Sequence, residues 1–163
     1  MIEVTKNLFV GSKNDEAQIR GQAGWFVIHA CKDPYHRKAL GYTTPGAPKD
    51  HPEYLIARRD GGLILNLIDA KAIGFVAPEI IDAAVEAIHS NIGSQKVLVH
   101  CNQGMSRSPV IAFLYLAKFV TTFQAKTYEE AVLIFRGLYP PYNPALGMSE
   151  YARQNWSRYS PGA

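Results

Sequence analysis

Val97-Leu98-Val99 is a short, continuously apolar run, and a few residues later Val110–Val120 is apolar on nearly every side, with Ile111, Phe113, Leu114, Leu116 and Phe119. A strand without polar alternation needs cover on both faces. A helix that is apolar all round belongs in the middle of a structure. A buried strand that feeds a central helix leaves little room for anything but an α/β architecture. Two further runs, Trp25-Phe26-Val27-Ile28-His29-Ala30 and Leu63-Ile64-Leu65-Asn66-Leu67-Ile68, have the β-branched and aromatic content of buried strands. Asn7-Leu8-Phe9-Val10-Gly11-Ser12 predicts a short opening strand stopped at Gly11, and Asn14-Asp15-Glu16 a helical turn after it.

Helices separate the later strands. After Pro78, the residues Ile81, Val85, Ile88 and Ile92 recur at helical spacing, with Asp82 and Glu86 off that stripe. Thr127-Tyr128-Glu129-Glu130 is a capping box that opens a helix carrying Val132, Phe135 and Leu138 and ending before Pro140-Pro141. A last helix holds Met148, Tyr151, Ala152 and Trp156. The expected fold is a central, mostly parallel sheet flanked by helices. The chain of 163 residues is long enough for one domain, 1–163, and too short for two. The segment from Cys31 to Gly62 breaks the rhythm: it is rich in proline and glycine and shows no clean period. It reads as an insertion, at about 32–62, on one side of the core.

Charge and composition exclude several classes. Apolar residues make up 47% and charged residues 19%, so a core is available and disorder is not expected. No apolar stretch approaches the ~18 residues of a membrane span, and the N-terminus has no basic region followed by an apolar one. A cytoplasmic location follows as an expectation. Two cysteines cannot build a disulfide scaffold. The formal charge of +3 suits an anionic small substrate better than nucleic acid, which calls for a clustered basic stripe.

The chemistry concentrates in His100-Cys101-Asn102-Gln103-Gly104-Met105-Ser106-Arg107-Ser108. In a strand–loop–helix setting the backbone N–H groups of Asn102, Gln103, Gly104, Met105, Ser106 and Arg107 converge on one point, and with the helix N-terminus they make an anion-binding nest. The Arg107 guanidinium can hold two phosphate oxygens bidentately. The same positive helix end favours the thiolate of Cys101, and the Ser108 hydroxyl is within reach of the sulfur. A nucleophile and a phosphate cradle thus share one loop.

This pattern, Cys-x5-Arg, resembles the protein tyrosine phosphatase superfamily, dual-specificity type. His100 to Ser108 match that family's His-Cys-x-x-Gly-x-Ser-Arg-Ser in full, and Asn7–Ser12 is similar to its opening strand. Tyr139-Pro140-Pro141-Tyr142-Asn143-Pro144-Ala145-Leu146-Gly147-Met148 follows the family's late Arg-Pro-x-Ile-x-Pro-Asn-x-Gly-Phe segment. Ala145 and Met148 depart from it, standing where the family has Asn and Phe, and that Asn supports the phosphate loop through hydrogen bonds. The resemblance implies a cysteine-dependent phosphomonoester hydrolase that needs no metal or cofactor, with a separate general acid to protonate the leaving oxygen. Asp69 is the candidate: it follows the strand Leu63–Ile68 and lies 32 residues before Cys101. Asp60 and Glu79 are the distant alternatives.

Four assignments complete the reading. His100 supports the loop through hydrogen bonds. Cys31 is an unreactive strand-end cysteine, or a disulfide partner for Cys101 under oxidation. His29, His51 and His89 lack metal-ligand spacing, and His36, Arg37 and Lys38 are kept out of the site. The substrate expected is phosphotyrosine in a protein, or a small phosphomonoester, acted on by a monomer. The alternatives are a phosphoinositide, nucleotide or RNA 5′-phosphate as substrate, or a phosphate-binding module without turnover. The uncharged Asn102, Gln103 and Met105 weigh against a polyphosphorylated ligand.

Overall fold

The computed structural model describes residues 1–160. Among these residues six strands form one sheet: β1 (Ile2–Thr5), β2 (Leu8–Ser12), β3 (Trp25–His29), β4 (Ile56–Arg59), β5 (Gly62–Leu65) and β6 (Lys96–Cys101), in the order β1-β2-β6-β3-β5-β4. The four central strands are parallel, and an antiparallel pair closes each edge. The expected mostly parallel sheet is therefore present. It has two strands that the sequence did not announce, both at its edges.

Seven α-helices accompany it among the described residues: α1 (Lys13–Ile19), α2 (Arg37–Leu40), α3 (Pro78–Asn91), α4 (Arg107–Phe119), α5 (Tyr128–Leu138), α6 (Leu146–Gln154) and α7 (Trp156–Tyr159). Their starts follow local chemistry. Ser12 caps α1 and forms a capping box with Asp15, Pro78 occupies the first turn of α3, and Thr127 accepts the N–H of Glu130 at the start of α5. Every residue of α4 from Arg107 to Leu116 is buried, as its all-round apolar sequence requires. In α5 the buried side is Tyr128, Ala131 and Phe135, whereas Leu138 is 41% exposed. Of the expected Val132, Phe135 and Leu138, Phe135 is buried, Val132 packs against the core at its edge, and Leu138 alone turns outward.

Parity along β3 separates the two layers. Phe26 and Leu63 line a cavity with Ala83 and Ala87 of α3, while Val27, His29 and Ile64 line another with Glu16 and Ile19 of α1. Neighbours on a strand face opposite ways, so α1 and α3 cover opposite faces. The region 32–62 is anchored at both ends. It begins with a π-type turn, Lys32–His36, continues into α2, and returns as β4 paired with β5.

All four parallel strands point their C-terminal ends at one edge, where Ser12 of β2 stands opposite Cys101 of β6. Ligand sites of parallel α/β sheets form at that edge. The folded topology thereby gathers Ser12, Cys101, the segment after Leu65 and the start of α4.

Candidate phosphate-binding site

Cys101 ends β6, is 2% exposed, and begins the loop that enters α4. The N–H of Gly104 donates to its Sγ at 3.2 Å, and the Ser108 hydroxyl lies 3.3 Å from it. Burial pushes the Cys101 thiol up. The Ser108 hydroxyl and N–H, the Arg107 charge and the Gly104 N–H outweigh that, and the net shift is downward, toward thiolate. The Ser108 hydroxyl also lies 3.2 Å from the Gly11 carbonyl. Its single proton can serve either acceptor.

Gly104 takes φ +74°, and a Cβ there would come within 2.9 Å of the Gly11 backbone. Only glycine lets the loop turn in the left-handed region and press against β2 at once. Outside the helix and strand ladders, the amides of Gln103, Met105 and Ser106 donate to no backbone carbonyl among the described residues. Arg107 is buried: one of its terminal nitrogens donates to the Leu67 carbonyl at 3.1 Å, while its Nε has no partner among the described residues. A buried unpaired guanidinium nitrogen is costly without an acceptor, and a phosphoryl oxygen would supply one.

Asp69 lies past β5 on the same edge. Its Oδ1 accepts from the Ser106 hydroxyl at 2.6 Å, and Ser106 Oγ in turn accepts from the Ala145 N–H at 2.9 Å. Asp69, Cys101, Asn102, Gln103, Met105, Ser106, Arg107 and Asn143 line one cavity of about 280 Å³. Asp60, by contrast, sits in the turn between β4 and β5, at the opposite edge of the sheet. Glu79, in the first turn of α3, does not line the cavity.

The back of the loop is braced by residues the sequence reading had placed only by resemblance. The Tyr139 hydroxyl donates to the Gly104 carbonyl at 2.7 Å, and the Asn143 N–H donates to the Met105 carbonyl at 2.8 Å. With Ala145 at the familiar Asn position, support comes from that residue's backbone, through Ser106. A main-chain donor needs no particular side chain, which is why no sequence signal marks it.

His100 is 0% exposed, and its Nδ1 lies 3.4 Å from the Cys101 carbonyl. Cys31 is buried, and burial pushes its thiol up to about 12 against the pull of Arg107. It is no nucleophile near neutral pH, which favours the unreactive assignment. Arg37 pairs with Asp33, and His36 is buried between Tyr42 and the Glu53 carbonyl, both within the region 32–62. No group of three or more His, Cys, Asp or Glu side chains among the described residues is arranged to hold a metal ion.

Three histidines make stability sensitive to acid. Burial pushes His29 down to about 4 and His100 to about 3, and lowers His36 as well. In the unfolded chain all three rings take up protons as pH falls through about 6.5. Their stabilising contribution is therefore complete above that pH and is lost progressively as pH falls from there toward the folded values of the rings. The depressed carboxyls of Asp15, Glu16 and Glu53 act only below about pH 4.5. The chemical-denaturation midpoint is expected to fall between pH 7 and pH 5; equal midpoints would mean that the rings titrate normally in the fold.

No family model matches the sequence, and no curated protein matches it. Solved structures do. DUSP15 superposes with a TM-score of 0.67 at 18% identity, over 99% of this chain and 90% of that one. The human tyrosine phosphatase-like serine/threonine/tyrosine-interacting protein gives 0.62 at 19% identity, over 96% and 95%. Human DUSP28 gives 0.60 at 17%, over 98% and 92%. Over nearly its whole length, the chain has the fold of these solved dual-specificity phosphatase structures.

Proposed function

We propose that the chain is a cysteine-dependent phosphomonoester hydrolase that acts on phosphotyrosine in proteins, with dual specificity, through a phosphocysteine intermediate. One observation carries this reading: Sγ of Cys101, stabilised toward thiolate, lies in the same cavity as the guanidinium of Arg107 and the carboxyl of Asp69. The thiolate attacks phosphorus in line, forming the S–P bond as the bond to the leaving oxygen breaks. The loop amides and Arg107 hold the three remaining oxygens as their charge redistributes. Asp69 delivers its proton to the leaving oxygen. Because Ser106 engages Oδ1, the proton is carried on Oδ2. The Asp69 carboxylate then takes a proton from water as that water attacks phosphorus, and the S–P bond breaks. Ser108, beside the sulfur, stabilises the departing thiolate.

The surroundings favour a protein or aryl substrate over a polyphosphorylated one. The cavity wall includes Met105, which is 37% exposed, and Ile68, next to Asp69, is 40% exposed. Neither Asn102 nor Gln103 adds charge. The region 32–62 belongs to the single domain and bears on substrate choice: its Ala47, Tyr54 and Leu55 form with Ile68 and Phe75 a cavity of about 410 Å³ that begins one residue from Asp69. Among the described residues no helix is long and apolar enough to cross a membrane.

The test is release of inorganic phosphate from a small aryl phosphate and a phosphotyrosine peptide in the presence of a chelator, with Arg107→Lys measured alongside. Wild type turns over both. The lysine variant, which lacks the planar fork, loses about 10²–10³-fold in kcat/KM, the scale of losing one oxyanion donor. A wild-type chain without turnover would leave the phosphate-binding module standing in place of the enzyme. Near-normal kcat/KM in the variant would remove Arg107 from the site.

A further inference from the structure

Behind the nucleophile, on the α1 face of the sheet, lies a polar cluster that the steps above do not use. His29 ends β3 and is the register partner of His100 on β6. Its Nδ1 lies 2.7 Å from His100 Nε2, and the two rings stand edge to face at 4.8 Å. Tyr35 stacks on His29 at 4.6 Å and meets His100 edge-on at 4.8 Å. The Tyr35 hydroxyl donates to Glu16 Oε2 at 2.9 Å, and Arg20 holds both oxygens of Glu16 from the other side. Glu16 is buried despite its charge, and these partners account for it.

The proton positions in this chain are constrained. Each neutral imidazole has one N–H and one bare nitrogen. A carbonyl only accepts, so His100 Nδ1 bonds to the Cys101 carbonyl only when it carries the proton. His100 Nε2 is then bare, and the 2.7 Å contact requires that His29 donate from Nδ1. In the reverse assignment His100 would donate from Nε2 to His29, and its bare Nδ1 would face the carbonyl oxygen, lone pair against lone pair, in a fully buried place. Only the first assignment satisfies both contacts. His29 is half-buried and lines an open cavity of about 400 Å³, so its second nitrogen needs no protein partner.

We propose that His29 is a positioning residue: its Nδ1–H locks His100 in the Nδ1–H form, which anchors the Cys101 carbonyl where the phosphate loop begins. The tautomer of a functional imidazole is commonly set by the partner of its other nitrogen, and here that partner is a second imidazole clamped by Tyr35. The functional consequence rests on Cys101 being the nucleophile; the tautomer lock does not.

Long-range proton–nitrogen NMR of the imidazoles tests the lock directly in the full chain, with kcat on a small aryl phosphate and inhibition by inorganic phosphate measured on the same proteins. In wild type, His100 is expected protonated on Nδ1 and bare on Nε2. In His29→Leu the Nε2-protonated form of His100 appears and kcat falls about tenfold, the low end of what loss of such an outer partner costs, while phosphate inhibition is unchanged. His29→Asn places an amide N–H where Nδ1 was and restores both readouts. Wild-type His100 protonated on Nε2, or a leucine variant with unaltered tautomer and kcat, would overturn the proposal. The wild-type spectrum decides the first point even if the leucine variant does not fold. A wild type that shows the expected tautomer but no turnover overturns the phosphatase reading alone.

Discussion

Cys101→Ser is expected to abolish turnover and to keep phosphate binding. The surroundings promote ionisation of the sulfur, through the Ser108 hydroxyl, the Gly104 N–H and the Arg107 charge. A serine hydroxyl in the same place is far too weak an acid to ionise under those influences, so no nucleophile forms. Removal of a catalytic nucleophile costs on the order of 10⁶ in kcat. The oxyanion cradle does not depend on the sulfur: Arg107 stays tethered to the Leu67 carbonyl, and Tyr139 and Asn143 still brace the loop. Titration with inorganic phosphate by calorimetry should therefore give a binding constant close to that of wild type, beside a loss of phosphate release. Appreciable hydrolysis by the serine variant would end the covalent mechanism.

The strand–cysteine–loop–helix unit was legible in the sequence because each part has a strong physical signature. β6 is buried from Val97 onward, and α4 is buried from Arg107 to Leu116. The Thr127 cap and Pro78 placed helix starts for similarly local reasons. What escaped was decided by tertiary context. β4 reads as loop because two of its four residues are Arg58 and Arg59, yet charge is what an edge strand uses to avoid pairing with another chain. β1 is four residues long with Glu3 exposed, too short for its pattern to stand out. Leu138 falls on the exposed side of α5 because Tyr139 turns inward to reach the phosphate loop.

The groups proposed to react could be named from the sequence, and their supports could not. Cys101, Arg107 and Ser108 are fixed by spacing within one loop. Asp69 required the guess that β5 delivers the following segment to the same edge as β6. The Ser106 hydroxyl, which touches Asp69, ties the two segments together. His29 could not be read at all, since its relation to His100 exists only through strand register across 71 residues of chain.

Asp69→Asn tests the assignment that rests on that placement. The asparagine keeps the shape and can still accept from Ser106 through its amide oxygen, so the cavity and the Ser106–Ala145 link survive. What it lacks is a transferable proton. Protonation helps only when the leaving oxygen is a poor anion, so the expected loss depends on the substrate. A phosphotyrosine peptide should slow by roughly 10²–10⁴-fold, the usual worth of a general acid, while an aryl phosphate with an acidic phenol should slow far less. The pH profile adds an independent readout. In wild type the rate rises with thiolate formation at Cys101 and substrate ionisation; the asparagine variant, which has no acid to lose, should flatten the falling limb of the profile. Equal slowing of both substrates with an unchanged bell would make Asp69 a structural partner of Ser106. The proton would then have to come from another group: Asp60 lies at the wrong edge of the sheet and Glu79 outside the cavity wall, which leaves the rest of the region 32–62 to supply it.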